Sequence, residues 1–151
     1  MPDILNDAPE SHRDLLRGTW TATLTTIDAE GRPRSTAVWY FIDNDGQLKS
    51  STFSDLYQYK DLRRDPNCCL FIIDFSNPFR TLEVRATADL TEDFNSNTVR
   101  KLVERYGLDS TKAPVRENRF TITYHPRRVL ARTFWAEEIL LGRTSDLSEE
   151  P

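Results

Sequence analysis

Arg80-Thr81-Leu82-Glu83-Val84-Arg85-Ala86-Thr87-Ala88-Asp89-Leu90 is the stretch on which the fold turns. Successive side chains of an extended chain point to opposite faces, so Leu82, Val84, Ala86 and Ala88 share one apolar face while Glu83, Arg85 and Thr87 share the other. One long strand is therefore expected over Arg80–Leu90. Just upstream, Cys68-Cys69-Leu70-Phe71-Ile72-Ile73-Asp74 is short and apolar throughout, as a strand buried on both faces would be, and Ser76-Asn77-Pro78 supplies the turn between the two.

The same reading extends to both termini. Ser11–Arg17 is a short helical start, with Leu15 and Leu16 as its apolar contacts and Gly18 placed where a left-handed cap belongs. Thr19–Leu24 alternates as a strand, Asp28-Ala29-Glu30-Gly31 turns the chain, and Arg34–Ile42 follows. Asp43-Asn44-Asp45-Gly46 is a strong hairpin signal into Gln47–Thr52, which predicts an opening meander of three antiparallel strands. Leu56, Tyr59 and Leu62 recur at helical spacing over Asp55–Arg64, behind a Ser54 cap, and Asp65-Pro66-Asn67 ends that helix. Downstream, Thr91 is expected to cap a helix over Glu92–Tyr106 with Phe94, Val99, Leu102, Val103 and Tyr106 on its apolar face, and Gly107 follows it. Phe120–Tyr124 and Val129–Phe134 read as two last strands separated by His125–Arg128, and residues 137–151 as a charged, frayed tail.

About seven strands and two substantial helices, joined mostly by hairpin turns, argue for a mainly β (α+β) domain over residues 1–136. Its form is a closed or nearly closed antiparallel barrel with peripheral helices. Hairpin turns cannot carry a parallel crossover, so a doubly wound sheet is excluded. The 151 residues, 38% hydrophobic and 29% charged, fit one ordinary soluble domain. No apolar run approaches the roughly 20 residues of a membrane-spanning helix, and the acidic start does not resemble a signal sequence, so the expected location is cytoplasmic with no membrane partner. A net charge of −4 gives no support to nucleic-acid binding.

Cys68 and Cys69 are adjacent in an apolar strand, which sets their sulfurs on opposite faces and reads as two reduced core thiols. His12 and His125 stand alone, so no metal site is expected. There is no nucleophile elbow, phosphate-cradling glycine loop or zinc-binding histidine pair. If the protein is an enzyme, a bound cofactor carries the reactivity. One place could receive an anion: the junction where Leu48–Thr52 meets the next helix, with the hydroxyls of Ser51, Thr52 and Ser54 beside the first-turn N–H groups. An ordinary capped helix explains the same residues.

Five segments in order resemble one family. They are Arg32-Pro33-Arg34-Ser35-Thr36-Ala37-Val38-Trp39-Tyr40; Asp45-Gly46 with Ser51-Thr52; Asp61-Leu62-Arg63-Arg64-Asp65-Pro66; Asn77-Pro78-Phe79-Arg80-Thr81-Leu82-Glu83-Val84-Arg85; and Tyr124-His125-Pro126-Arg127-Arg128-Val129. Together they resemble the pyridoxamine 5′-phosphate oxidase-like split β-barrel superfamily, in its branch of small flavin- or deazaflavin-dependent (coenzyme F-420) oxidoreductases. The resemblance implies an FMN-binding type of split barrel and a homodimer with two equivalent sites at the subunit interface. It implies FMN or the deazaflavin coenzyme as cofactor and a small organic molecule as substrate. Carried over by position, Ser51 and Thr52 would contact the phosphate or ribityl chain, Val38 and Trp39 would line the ring, and Arg80 and Thr81 would approach from the neighbouring strand.

The chain departs from the family at one point. The phosphate-binding basic pair falls on Tyr57 and Gln58, and the alternative upstream arginine on Leu56. Losing an ionised donor to phosphate forfeits roughly 1.5–3 kcal/mol per contact. Lys60 offers a charge nearby, although two residues turn a helix by about 200° and point it away from Gln58.

Other residues have plainer readings. Trp20 and Trp135 read as packing residues, Arg63 and Arg64 as helix C-terminal cations, and Arg85 with Glu83 as a structural ion pair. Two functions follow: an oxidoreductase that reduces a small substrate by hydride transfer, or a non-catalytic flavin- or tetrapyrrole-binding carrier on the same fold. Tyr57 and Gln58 motivate the second. True pyridoxamine phosphate oxidase activity is the weaker third, because the tail lacks that enzyme's R-L-x-P ending.

Overall fold

The computed structural model describes residues 3–112 and 116–134; Trp135 and the tail expected over 137–151 lie outside them. The described chain forms seven strands and three α-helices. The strands are β1 (Ala22–Ile27), β2 (Pro33–Val38), β3 (Phe41–Ile42), β4 (Leu48–Phe53), β5 (Asn67–Asp74), β6 (Asn77–Glu92) and β7 (Arg119–Thr133). The helices are α1 (Arg13–Arg17), α2 (Tyr57–Arg64) and α3 (Asn97–Arg105). All pairings are antiparallel, in the order β2-β1-β5-β6-β7-β4-β3.

The edge strands β2 and β3 are consecutive in sequence, so the sheet curls until its two edges are joined only by Trp39 and Tyr40. This is a split barrel. The expected meander is corrected here. Arg34–Ile42 is not one strand but two, since β2 pairs with β1 while β3 pairs with β4 on the far edge. A side-chain relay holds the break: the Tyr124 hydroxyl donates to Ser50 Oγ at 3.0 Å, and Ser50 Oγ donates to the Trp39 carbonyl at 2.7 Å.

The inner face of the curl is the core. Leu82, Val84, Ala86 and Ala88 of β6 are all buried, as their alternation required, against Leu24, Leu70, Ile72 and Ile122. Each such aliphatic side chain contributes about 1.5–3 kcal/mol by leaving water. Burial on β5 falls on Leu70, Ile72 and Asp74, with Cys69, Phe71 and Ile73 only half-buried. The expectation of two buried faces therefore fails: one face of the strand stays partly open to solvent. Burial pushes the Cys68 thiol up to about 12 and the Cys69 thiol up to about 11, so neither is a ready nucleophile.

Other boundaries shift for local reasons. Thr19–Thr21 precede β1 rather than belonging to it. Gly18 has φ −78°, an extended and not a left-handed conformation. Space is what requires glycine there: a Cβ would collide with the Trp20 indole and lie 2.9 Å from the Asp14 carbonyl. The last two expected strands are one, because Pro126 sits beside a bulge: Arg85 faces Arg128 and Ala86 faces Pro126, leaving Arg127 as the extra residue. The expected helix over Glu92–Tyr106 starts late. Pairing with β7 carries β6 through Glu92, and Asn95 (φ 58°) and Ser96 (φ 55°) are left-handed before α3 begins. Its cap is Asp93, whose carboxylate accepts from the Thr98 and Val99 N–H groups at 2.8 and 3.1 Å, and Phe94 is exposed rather than on the apolar face. The helix expected from Asp55 begins at Tyr57, with Leu56 as an N-cap that makes no side-chain hydrogen bond.

Candidate functional site

Where the curl splits, the end of β2 separates from β4 and α3 lies across the gap. The result is a cavity of about 340 Å³ lined by Thr21, Ala37, Val38, Trp39, Ser51, Phe53, Gln58, Val99, Leu102, Val103 and Arg119. Val99, Leu102 and Val103 lie three and four residues apart, so one helical face supplies the apolar wall. α3 is fastened there by the Asp93 cap, by Thr121 Oγ1 donating to Thr98 Oγ1 at 2.7 Å, and by Lys101 on Asp43 at 2.9 Å. On β4 the alternation sends Ser51 and Phe53 to the cavity side and Thr52 inward. The Trp39 ring stacks on Tyr106, with centroids 4.3 Å apart and planes 7° from parallel, and its Nε1 donates to Thr21 Oγ1 at 3.3 Å.

A second cavity of about 240 Å³ shares Gln58 with the first and is lined by Thr26, Arg34, Ser35, Thr36, Leu56 and Tyr57. Its electrostatics centre on the fully buried Asp61. Arg34 donates to both carboxylate oxygens, Nε at 3.0 Å and Nη2 at 2.6 Å, Thr26 Oγ1 donates at 2.8 Å, and Arg64 lies 3.5 Å away. Burial pushes this carboxyl up, but the hydrogen bonds from Arg34 and Thr26 outweigh it and hold Asp61 below the usual carboxylate range. The Arg34 guanidinium in turn lies 4.5 Å from the centroid of the exposed Tyr57 ring, with Lys60 Nζ 5.8 Å from the same ring. Two cations, Arg34 and Lys60, thus flank the Tyr57 ring.

Four of the residues named from sequence, Val38, Trp39, Ser51 and Gln58, meet at the larger cavity, and Tyr57 joins Gln58 at the smaller one. Thr52 is buried on the inner face of β4. Lys60 is exposed and lines neither cavity. Arg80 and Thr81 are elsewhere: Arg80 bridges Asp14 and, at 3.1 Å, Asp74, tying α1 to the β5–β6 turn, and Thr81 pairs with Ile73 and Arg132 inside the sheet.

Two polar atoms at this end, Gln58 Oε1 and Thr52 Oγ1, are buried without a hydrogen-bond partner among the described residues. Sequence reasoning missed the cations that face the cavities. Arg34 stood in a quoted segment with no role attached. Arg119 is 6% exposed, and its guanidinium lies 4.6 Å from the Phe53 ring, with Arg116 at 4.5 Å from the same ring. Burial and the neighbouring Arg116 charge lower the Arg119 pKa, against the opposing pull of Asp93.

The sequence matches the pyridoxamine 5′-phosphate oxidase family over residues 8–133, which takes in every strand of the barrel and both cavities. The chain belongs to this family. Solved structures agree with a pyridoxamine 5′-phosphate oxidase-like split barrel. An F420 reductase is 27% identical with a TM-score of 0.75, covering 82% of this chain and 98% of that one. A conserved hypothetical protein from Mycobacterium tuberculosis is 21% identical with a TM-score of 0.65, covering 83% and 85%. General stress protein 26 from Bacillus anthracis is 20% identical with a TM-score of 0.59, covering 82% and 92%. No curated protein matches the sequence. Within the family, fold does not fix chemistry, and the function has to be argued from the cavities.

Proposed function

We propose that the protein is a flavin- or deazaflavin-dependent oxidoreductase that holds its cofactor in the paired cavities and reduces a small organic substrate by hydride transfer. The observation that carries the proposal is that Val38, Trp39, Ser51 and Gln58, named separately from sequence, line one cavity in a chain of this family. The similarity to an F420 reductase supports the same class of cofactor.

The residues present fit such a group. Ala37, Val38, Leu102 and Val103 offer apolar surface to a planar ring, and the unpartnered Gln58 Oε1 requires a donor that the described chain does not supply. Among the described residues no Asp or Glu lines either cavity, and the buried Asp61 behind the smaller one is engaged by Arg34 and Thr26. In the proposal Ser51 and Gln58 hydrogen-bond the polar edge of the ring and Trp39, braced by Tyr106, fixes its position. Arg34, Tyr57 and the uncapped first turn of α2 hold the phosphate, and Lys60, outside the cavities, adds positive charge beside the Tyr57 ring. When bound and reduced, a flavin or deazaflavin supplies the hydride. The chain's own part is to bind, orient and exclude water; among the described residues no Asp, Glu, His or Cys lines either cavity.

The proposal includes a homodimer in which a second copy covers Leu56 and Tyr57, 40% and 66% exposed beside the smaller cavity. It also includes a cytoplasmic setting, in which Cys68 and Cys69 stay reduced. Among the described residues no helix is long and apolar enough to cross a membrane. Tyr57 and Gln58 at the basic pair's positions favour a second reading, a carrier that binds a flavin or tetrapyrrole without turnover. Anaerobic mixing of protein and reduced FMN, or reduced deazaflavin, with conjugated enones and quinones separates the two readings. Protein-dependent reoxidation supports the enzyme, and binding without reoxidation across the panel supports the carrier.

A further inference from the structure

We infer that Tyr106 is a positioning residue: its hydroxyl joins the end of α3 to the open seam of the barrel and so fixes the Trp39 ring in the wall of the larger cavity. The inference rests on reading that cavity as the cofactor's site, and it adds a residue that lines neither cavity. The register of the sheet accounts for the hydroxyl. β1 and β2 pair as far as Ala22 and Val38, where the ladder stops. One more antiparallel step would set Thr21 against Trp39, and the next would set Trp20 against Tyr40. At that second step the Tyr106 hydroxyl stands in for the ladder. It donates to the Trp20 carbonyl at 2.5 Å and accepts from the Tyr40 N–H at 3.3 Å, with the Tyr40 carbonyl 3.2 Å away.

At the first step a side chain also makes the contact, Trp39 Nε1 on Thr21 Oγ1. The hydroxyl therefore satisfies backbone groups that β2 leaves behind as the chain crosses to β3, and it does so from the residue that follows α3. Burial pushes this phenol above the usual tyrosine range, so it stays a neutral donor. The ring of the same residue stacks on Trp39. One side chain thus ties together Trp39 and the helix whose Val99, Leu102 and Val103 form the apolar wall. Without the hydroxyl the stacked ring loses its anchors on Trp20 and Tyr40, and the Trp39 indole shifts with the end of α3. Tyr106 acts through Trp39 and not by touching a ligand.

Tyr106→Phe keeps the ring and removes only the hydroxyl. Two measurements read the result: fluorine NMR of protein labelled with fluorotryptophan, its Trp39 resonance assigned by loss in Trp39→Phe, and fluorescence titration with FMN and with the deazaflavin coenzyme. Tyr106→Phe is expected to move or broaden the Trp39 resonance in the ligand-free protein and to weaken the cofactor complex about tenfold. Tyr40→Phe, which removes a buried hydroxyl beneath α1, controls for lost stability and should leave both readouts at the parent values. An unchanged Trp39 resonance in Tyr106→Phe, or equal losses of affinity in the two variants, would overturn the inference. A Trp39 resonance that responds in a protein binding neither cofactor would uphold the positioning role and remove the cofactor reading. Cofactor binding with an unresponsive resonance would do the reverse. If Tyr106→Phe does not fold, amide exchange in the parent decides: the Tyr40 N–H is expected to be protected and to gain protection with bound cofactor, and free exchange there would overturn the inference.

Discussion

Trp39 and Tyr40 are neighbours in sequence, yet their side chains enter two regions built on different terms. The Tyr40 ring is fully buried beneath α1, beside Leu15 and Leu16, and its hydroxyl donates to the Leu15 carbonyl at 2.5 Å. Desolvation there raises its pKa far above the ordinary tyrosine value, so it stays a neutral donor. The Trp39 ring lies instead in the cavity wall, 37% exposed, in a region that leaves Gln58 Oε1 unpartnered among the described residues and buries the Arg119 cation. An unmade buried hydrogen bond costs on the order of 1–3 kcal/mol, so a fold that keeps one beside a cavity gives up stability where a ligand would restore it. The side beneath α1 is closed by packing and a made hydrogen bond, and the side beneath α3 keeps an open cavity with a buried oxygen unpartnered among the described residues.

Four changes would break or sharpen that contrast. Leu16→Ala should have the largest effect, a loss of about 2–5 kcal/mol in urea unfolding, with ligand affinity unchanged in the folded protein. Tyr40→Phe should cost roughly 1–3 kcal/mol, because it leaves the Leu15 carbonyl buried without its donor. An equal loss from both a core and a cavity substitution would blur the division.

The third test is acid, which acts on the cavity side. Burial pushes the Asp43 carboxyl up, but hydrogen bonds from Lys49 at 2.8 Å and from Lys101 of α3 at 2.9 Å outweigh it and bring it down to about 2. Its folded-state pKa lies below its unfolded value, so the stability it contributes is complete above about pH 4 and is lost as pH falls through about 2, up to about 2 kcal/mol. Thermal melts across that window should show the loss, and Asp43→Asn should flatten it. The smallest stability change is expected from Gln58→Leu, which removes the unpartnered oxygen and should leave unfolding within about 1 kcal/mol of the parent while weakening flavin binding. A large destabilisation would mean that Gln58 belongs to the structural side.

What the sequence revealed depended on how far the deciding contact lay along the chain. The inward face of β6 was legible because alternation is local, and so was the end of α2 at Pro66, which cannot continue a helix. The break at Trp39–Tyr40 was not, because Arg34–Ile42 has no turn residue; curling places its two halves on opposite sheet edges. The late start of α3 follows from the pairing of Glu92 with Phe120, which no local propensity records. Arg119 was invisible for the same reason: it enters the cavity wall because it pairs with Phe53 across β4 and β7, 66 positions away in sequence. Val38, Trp39 and Ser51 could be named because they sit inside the motif segments, and Gln58 by its distance from Asp61, whereas Arg34, inside a segment too, takes its place only through its contact with Asp61, far from it along the chain.

The most direct measurement is a fluorescence titration of the purified protein with FMN and with the deazaflavin coenzyme at fixed salt. The account predicts saturable binding of one of them in the micromolar range or tighter, with a weaker complex for Arg34→Ala. Absence of binding by both would contradict it.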